Sequence, residues 1–174
     1  MYHCGLRLRY CQLSSTIRTE SLKVMTELSV LVLAFNRSTL TKDLLKQLIS
    51  YDCNINIYLS IDGPRIGNKR DSSEIYEIMK FVEQLRNSGN DVHVNSLDRN
   101  YGCRKAIISG ISWFFQNNDQ GIILEDDCHL LDGAIEFFAS SLEKYNEDKS
   151  IGMISGSLNL DCSIGKEFSC SAYN

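Results

Sequence analysis

The sequence is short of the features that announce several common protein classes. No two of its seven cysteines, Cys4, Cys11, Cys53, Cys103, Cys128, Cys162 and Cys170, stand at C-x-x-C spacing. The number is odd, so neither a zinc site nor a complete disulfide framework is expected, and reduced thiols are the plainer reading. There is no basic excess: 18 Lys and Arg face 22 Asp and Glu, for a net charge of −4. Nucleic acid and anionic membranes are therefore not expected partners. No apolar run approaches the roughly 18 residues of a membrane span. The first 26 residues are polar and carry Arg7, Arg9, Arg18 and Lys23 against Glu20, with no apolar middle of a secretory signal. We expect residues 1–26 to be an extension, with Met25 an alternative start, and residues 27–174 to form one domain. The expected location is cytoplasmic, or peripheral at a membrane. No G-x-G-x-x-G follows an apolar run, which excludes a dinucleotide-binding oxidoreductase of the usual kind.

What is present is a series of apolar runs alternating with helical periods. Ser29–Phe35 reads as a buried strand. Leu40, Leu44, Leu45, Leu48 and Ile49 then share one helical face, with Ser38 or Thr39 as cap. Ile55, Ile57, Leu59 and Ile61 alternate along a second strand that ends in the turn Asp62-Gly63-Pro64. Asp71 with Glu74 fits a capping box for a helix carrying Ile75, Ile78, Met79, Val82 and Leu85. Val92–Leu97 is a weaker third strand. A helix over about Cys103–Asn117 places Ile107, Ile108, Ile111, Phe114 and Phe115 inward. Asp132 is placed to cap a further helix with Ile135, Phe138, Leu142 and Tyr145 inward, and Ile151–Ser155 reads as a fifth strand. The expected fold class is α/β: a Rossmann-like, mostly parallel sheet flanked by helices on both faces.

The chemistry concentrates at the strand ends. Gly121-Ile122-Ile123-Leu124 runs straight into Glu125-Asp126-Asp127. The apolar run predicts a strand buried on both faces, with the acids emerging where open α/β sheets bind ligands. Alternation puts Glu125 and Asp127 on one side and Asp126 on the other. Adjacent anions repel, and a hard divalent cation such as Mg²⁺ or Mn²⁺ relieves that repulsion through oxygen ligands. Asn36 and Arg37 follow the first strand, and Asp62 and Gly63 follow the second. Asp62 is suited to accept hydrogen bonds from a base or ribose. Gly102 permits close backbone approach before a helix N-terminus, where Arg104 and Lys105 are placed to meet a diphosphate.

VLVLAFNRST over Val30–Thr39, the Asp-Gly after strand two, IILEDD, FFAS, and IGMISG with Asn159 just beyond resemble GT-A-fold glycosyltransferases. The chain is particularly similar to bacterial members and to the N-acetylglucosaminyltransferase I family, which carries an EDD form of the metal motif. The resemblance covers about Leu28–Asn159. It implies transfer of a sugar from a nucleotide-diphosphate donor, UDP- or GDP-linked, to an acceptor hydroxyl on a glycan or another molecule, with Mn²⁺ or Mg²⁺. It implies Asp127 as the direct metal ligand, with Glu125 beside it. Nucleotide-sugar contacts are implied for Phe35, Asn36, Arg37, Asp62, Gly63, Asn100, Gly102, Arg104, Lys105 and Asp126. The resemblance implies an acceptor site and a catalytic base C-terminal to the portion seen here, beyond Asn174; in the final stretch Asp161 and Glu167 are the only candidate acids, and neither is an evident base. The expectation is thus a glycosyltransferase domain lacking most of its acceptor part, the alternative being a donor-binding domain without turnover. A nucleotidylyltransferase needs a Gly-rich loop where Ala34-Phe35-Asn36-Arg37 stands, and a phospho-receiver needs its acids on the first strand. Cys128 and His129 adjoin the acids without making a catalytic dyad.

Overall fold

The computed structural model describes residues 28–51 and 54–156. Calls on residues 1–26, Cys53, Asn159, Asp161, Cys162, Glu167 and Cys170 lie outside these residues. Four strands, β1 (Leu28–Ala34), β2 (Ile55–Ile61), β3 (Val92–Ser96) and β4 (Ile122–Glu125), alternate with four helices, α1 (Ser38–Ile49), α2 (Lys69–Asn87), α3 (Cys103–Phe115) and α4 (Ala134–Tyr145). The sheet is parallel throughout, in the order β3-β2-β1-β4. The fold is therefore the expected Rossmann-like α/β class. Its order reverses once: the chain moves outward through β2 and β3, then returns to place β4 on the far side of β1.

One face of the sheet carries the main core. Val30, Val32, Ile57, Leu59 and Ile61 pack there with Leu44, Leu45 and Leu48 of α1, Ile78 and Val82 of α2, and Ile135 of α4. Full burial of a side chain of this size stabilises by about 1.5–3 kcal/mol, so this layer dominates the fold. The opposite face is thinner, with Leu31, Tyr58 and Phe114 at its centre. Helix α3 comes close there because residue 110 is glycine. A Cβ at that position would stand 2.7 Å from both Leu33 Cδ2 and Ser60 Oγ.

Several expectations are corrected. β4 is not buried on both faces. Among the described residues it pairs with β1 alone, and Ile123 is 38% exposed while Ile122 and Leu124 are buried. Ile151–Ser155 forms no strand. Gly152 and Gly156 flank Met153 and Ile154, and glycine weakens an extended segment that has no ladder partner. On α1, Leu40 and Ile49 are exposed and Thr41 takes an inward place, because Leu40 and Ile49 each lie about 90° around the helix from the centre of the row 41-44-45-48. On α3, Ile108 and Phe115 are exposed, since the apolar stripe is wider than the sheet face it covers.

The helix caps also differ. Asn68, not Asp71, caps α2, its side-chain oxygen accepting from the backbone N–H of Arg70 and Asp71. The helix therefore starts three residues earlier than the capping box implies, which turns Asp71 and Glu74 toward other partners. Asp132 makes no cap; Gly133 precedes α4 at φ 83°, a conformation glycine adopts without Cβ strain. Neither Ser38 nor Thr39 caps α1. Glu74 Oε2 reaches across from α2 to accept from Ser38 N at 3.0 Å.

Candidate functional site

The strand ends line up because the parallel register carries on past the sheet. Asp62 N donates to Ala34 O at 3.0 Å, Leu97 N to Ile61 O at 2.9 Å, and Asp126 N to Leu33 O at 3.0 Å. This continuation places Phe35, Asp62 and Asp126 along one rim. The rim lies at the C-terminal ends of β1 and β4, the point where the strand order reverses. Loops from neighbouring strands diverge at such a point and leave a crevice. A cavity of about 470 Å³ occupies it.

The cavity gathers Phe35, Asn36, Arg37, Asp62, Asn100, Gly102, Glu125 and Asp126 of the sequence-predicted residues. Gly63, Arg104, Lys105 and Asp127 do not line it. Gly63 has a packing role instead: a Cβ there would meet the Arg99 backbone at 2.5 Å. Gly102 serves for its positive φ of 79° and not for close approach, as a Cβ on it would meet nothing within 4 Å. Arg104 and Lys105 are exposed on the first turn of α3, outside the lining. Asp127 is exposed.

Asp62 is buried and both its oxygens are engaged. Oδ1 accepts from Gly63 N and Tyr101 N at 2.9 Å each. Oδ2 accepts from Asn100 Nδ2 at 2.8 Å and Gly102 N at 3.1 Å. The carboxylate thus pins the loop between β3 and α3 onto the end of β2. That loop shapes one wall of the cavity and sets the start of α3.

Arg37 ties together two members of the acidic triplet. Its Nη1 donates to Asp127 Oδ2 at 2.8 Å, and its Nη2 pairs with Asp126. Asp126 is 1% exposed, while the Arg37 and Asp127 side chains are 45% and 48% exposed. The burial alternation through Glu125, Asp126 and Asp127 follows the strand reading, with the middle acid inward. Burial pushes the Asp126 carboxyl above its ordinary range and outweighs the bond and charge of Arg37. Burial also works against the Arg37 charge, but Asp126 and Asp127 together overcome it and hold the guanidinium above its ordinary value. The two shifts are compatible because Asp126 is far more deeply buried than its partner.

The sequence reading missed the support of Asn36. Asp71 is fully buried and accepts from Asn36 Nδ2 at 2.8 Å, from Arg65 Nε at 2.7 Å, from Arg65 Nη2 at 2.9 Å and from Arg65 N at 3.2 Å. Arg65 also lines the cavity and lies over the Phe35 ring, 5.4 Å from its centroid. The only sequence signal for this was the arginine in the turn after β2. Asp71 looked like a capping residue, and its partners are distant in sequence: Arg65 stands in the turn after β2, and Asn36 stands before α1 and β2. Leu33, Ala34, Ser60, Cys103, Ala106 and Ile107 complete the lining.

A pH dependence follows from Asp71. Hydrogen bonding from Arg65 holds its carboxyl well below the usual carboxylate range, against the opposing cost of burial and with help from Asn36. A depressed acid contributes stability above its unfolded value near 4, and that stability is lost as pH falls through the folded value. In denaturant titrations at a series of pH values, Asp71→Asn is expected to be less stable than the parent at pH 7. The gap should narrow steadily below about pH 4. A gap independent of pH would mean that the ion pair is not the source.

Fold and rim together define an all-parallel, Rossmann-like α/β protein with a polar crevice at its topological switch point. The chain matches no protein-family model, no curated protein and no solved structure in the comparisons made. No helix among the described residues is long and apolar enough to cross a membrane.

Proposed function

We propose that the rim cavity binds a nucleotide-diphosphate sugar, UDP- or GDP-linked, and that the protein is a metal-dependent glycosyltransferase of the GT-A kind. The observation that carries the reading is the meeting of Asn36, Arg37, Asp62, Asn100, Glu125 and Asp126 around one cavity at the switch point. Its volume suits a ligand of nucleotide size.

The oxygen donors open to a divalent cation are two exposed carboxylates. Among the described residues there is no group of three or more His, Cys, Asp and Glu placed to hold a metal. Glu125, in the lining, and Asp127, outside it and paired with Arg37, are exposed oxygen donors. Mg²⁺ typically takes one or two protein carboxylates and completes its shell with water and phosphate oxygens, which is what these two residues offer. Bound there, Mn²⁺ or Mg²⁺ would supply neutralising charge for a diphosphate leaving group. Around it, Arg37 and the N–H groups of the first turn of α3 favour an anion. Asn36 and Asn100 present amides whose orientation Asp71 and Asp62 fix. Phe35 and Arg65 offer a flat wall.

A second reading, donor binding without transfer, draws on one specific observation. Of the three carboxylates lining the cavity, Asp62 and Asp126 are engaged by the protein, which leaves Glu125 as the acid there with no described bond or ion pair. A metal ligand cannot at the same time deprotonate an acceptor hydroxyl. The test is incubation with UDP- and GDP-linked sugars and Mn²⁺, following release of nucleoside diphosphate. Release that is lost in Asp127→Asn supports the transferase. Binding without release supports the second reading, and no binding of any donor rejects both.

A further inference from the structure

We infer that Arg65 and Asn36, both held on Asp71, read the edge of the nucleobase and select a base with a ring carbonyl beside an N–H, as in uracil and guanine. The inference rests on the functional reading above and names the part of the ligand that this corner of the cavity recognises.

Asp71 is fully buried, and a carboxylate paired with a guanidinium accepts hydrogen bonds and donates none. Its Oδ1 accepts from Asn36 Nδ2 at 2.8 Å and from Arg65 Nη2 at 2.9 Å. Two donors on one oxygen lie side by side. Oδ2 accepts from Arg65 Nε at 2.7 Å, which completes a two-pronged contact and fixes the plane of the guanidinium. The Phe35 ring, its centroid 5.4 Å from Arg65 Cζ, holds the same group on another side. The Asn36 amide cannot turn over, because its oxygen would then face the carboxylate. What remains of the pair is therefore fixed in kind. Arg65 Nη1 is a donor and Asn36 Oδ1 is an acceptor, neither with a described bond, and both residues line the cavity. An adjacent donor and acceptor complement an adjacent acceptor and donor. Uracil offers O4 beside N3–H, and guanine offers O6 beside N1–H. Cytosine and adenine offer the reverse, an amino group beside an unprotonated ring nitrogen, which sets donor against donor and acceptor against acceptor. The diphosphate, drawn toward Arg37 and the first turn of α3, fixes which way round the base enters, so the base cannot turn over to repair the mismatch.

Two matched pairs of nucleotides test this, because UDP differs from CDP, and inosine diphosphate from ADP, only at this edge. In calorimetric titration with Mn²⁺ in the buffer, UDP should bind about tenfold or more tighter than CDP if the site takes a pyrimidine, and inosine diphosphate should exceed ADP by the same factor if it takes a purine. In Asn36→Ala that ratio should fall to about threefold or less, since the base N–H loses its acceptor while Arg65 keeps both prongs on Asp71. Arg65→Lys keeps a positive charge beside Asp71 but has no second nitrogen to offer, and its ratio should fall likewise. A ratio measured within one variant is not moved by a loss of overall stability, and circular dichroism melts establish that each variant is folded during titration. If the carbonyl base binds the parent no tighter than its amino counterpart, or if the parent's ratio survives in either variant, the base-reading pair is overturned while nucleotide binding at the rim stands. If no nucleoside diphosphate binds the folded parent, the functional reading fails and this inference fails with it.

Discussion

Asp62→Ala is expected to lower stability by about 3 kcal/mol or more, the largest loss of any single change at the rim. Four donors, Gly63 N, Tyr101 N, Asn100 Nδ2 and Gly102 N, lose their acceptor together. Hydrogen bonds to a charged group contribute about 1.5–3 kcal/mol each, and donors left without a partner cost more than bonds never made. The sum is reduced because the loop from 98 to 102 is partly exposed and water reaches some of its groups. For a domain of this size the loss corresponds to a fall of roughly 6–12 °C in Tm. Asp62→Asn should cost nearly as much, since its amide turns one acceptor into a donor facing other donors. This separates an architectural Asp62 from one that only reads a nucleobase. In the second case both variants would melt with the parent and differ from it only when nucleotide is present.

Arg37→Ala is expected to cost about 1–3 kcal/mol in the absence of any ligand. Removing one member of a buried ion pair typically costs 3–5 kcal/mol because the other is left as an unpaired charge. The smaller figure applies here because the Arg37 side chain is 45% exposed. Asp126 would keep only the long bond from Phe35 N at 3.4 Å. Replacing both residues, Arg37→Ala with Asp126→Leu, should recover much of the loss, as it removes the stranded carboxylate. A double-mutant cycle by urea denaturation measures the coupling. If the two single losses simply add, the pair seen across the strand ends contributes nothing to the fold.

The strands were legible wherever one face had to be buried. Alternation at Ile55, Ile57, Leu59 and Ile61 and the unbroken run in β1 left little choice of element. The acids after β4 were legible because an apolar run cannot end in three carboxylates inside a core. What stayed hidden depended on distance between elements. The position of β4 at one side of the sheet is set by strand order, which its own residues do not encode, so its run looked central. The roles of Asp71 and Glu74 depend on α1 and α2 lying side by side. That adjacency brings Glu74 to Ser38 N and Asp71 to Asn36 from about 35 residues away. A capping pattern is local and was the stronger local reading. Asp62 was correctly placed at the rim, yet its four protein donors come from its own turn and from a loop near residue 100. No spacing rule links those two stretches. Arg104 and Lys105 illustrate the reverse error: closeness in sequence to Gly102 suggested a shared cavity, but the helix turns both side chains out to solvent.

The central claim is that the rim holds a nucleoside diphosphate together with a divalent cation. Calorimetric titration of UDP, and then GDP, in the presence of Mn²⁺ tests it most directly. One of the two should give saturable, one-to-one heat with the parent protein. Affinity should fall by about tenfold or more, equivalent to about 1.4 kcal/mol, when Mn²⁺ is withheld or when Asp127 is replaced by Asn. Absence of saturable heat for both nucleotides, with Mn²⁺ present and the protein folded, would contradict the account.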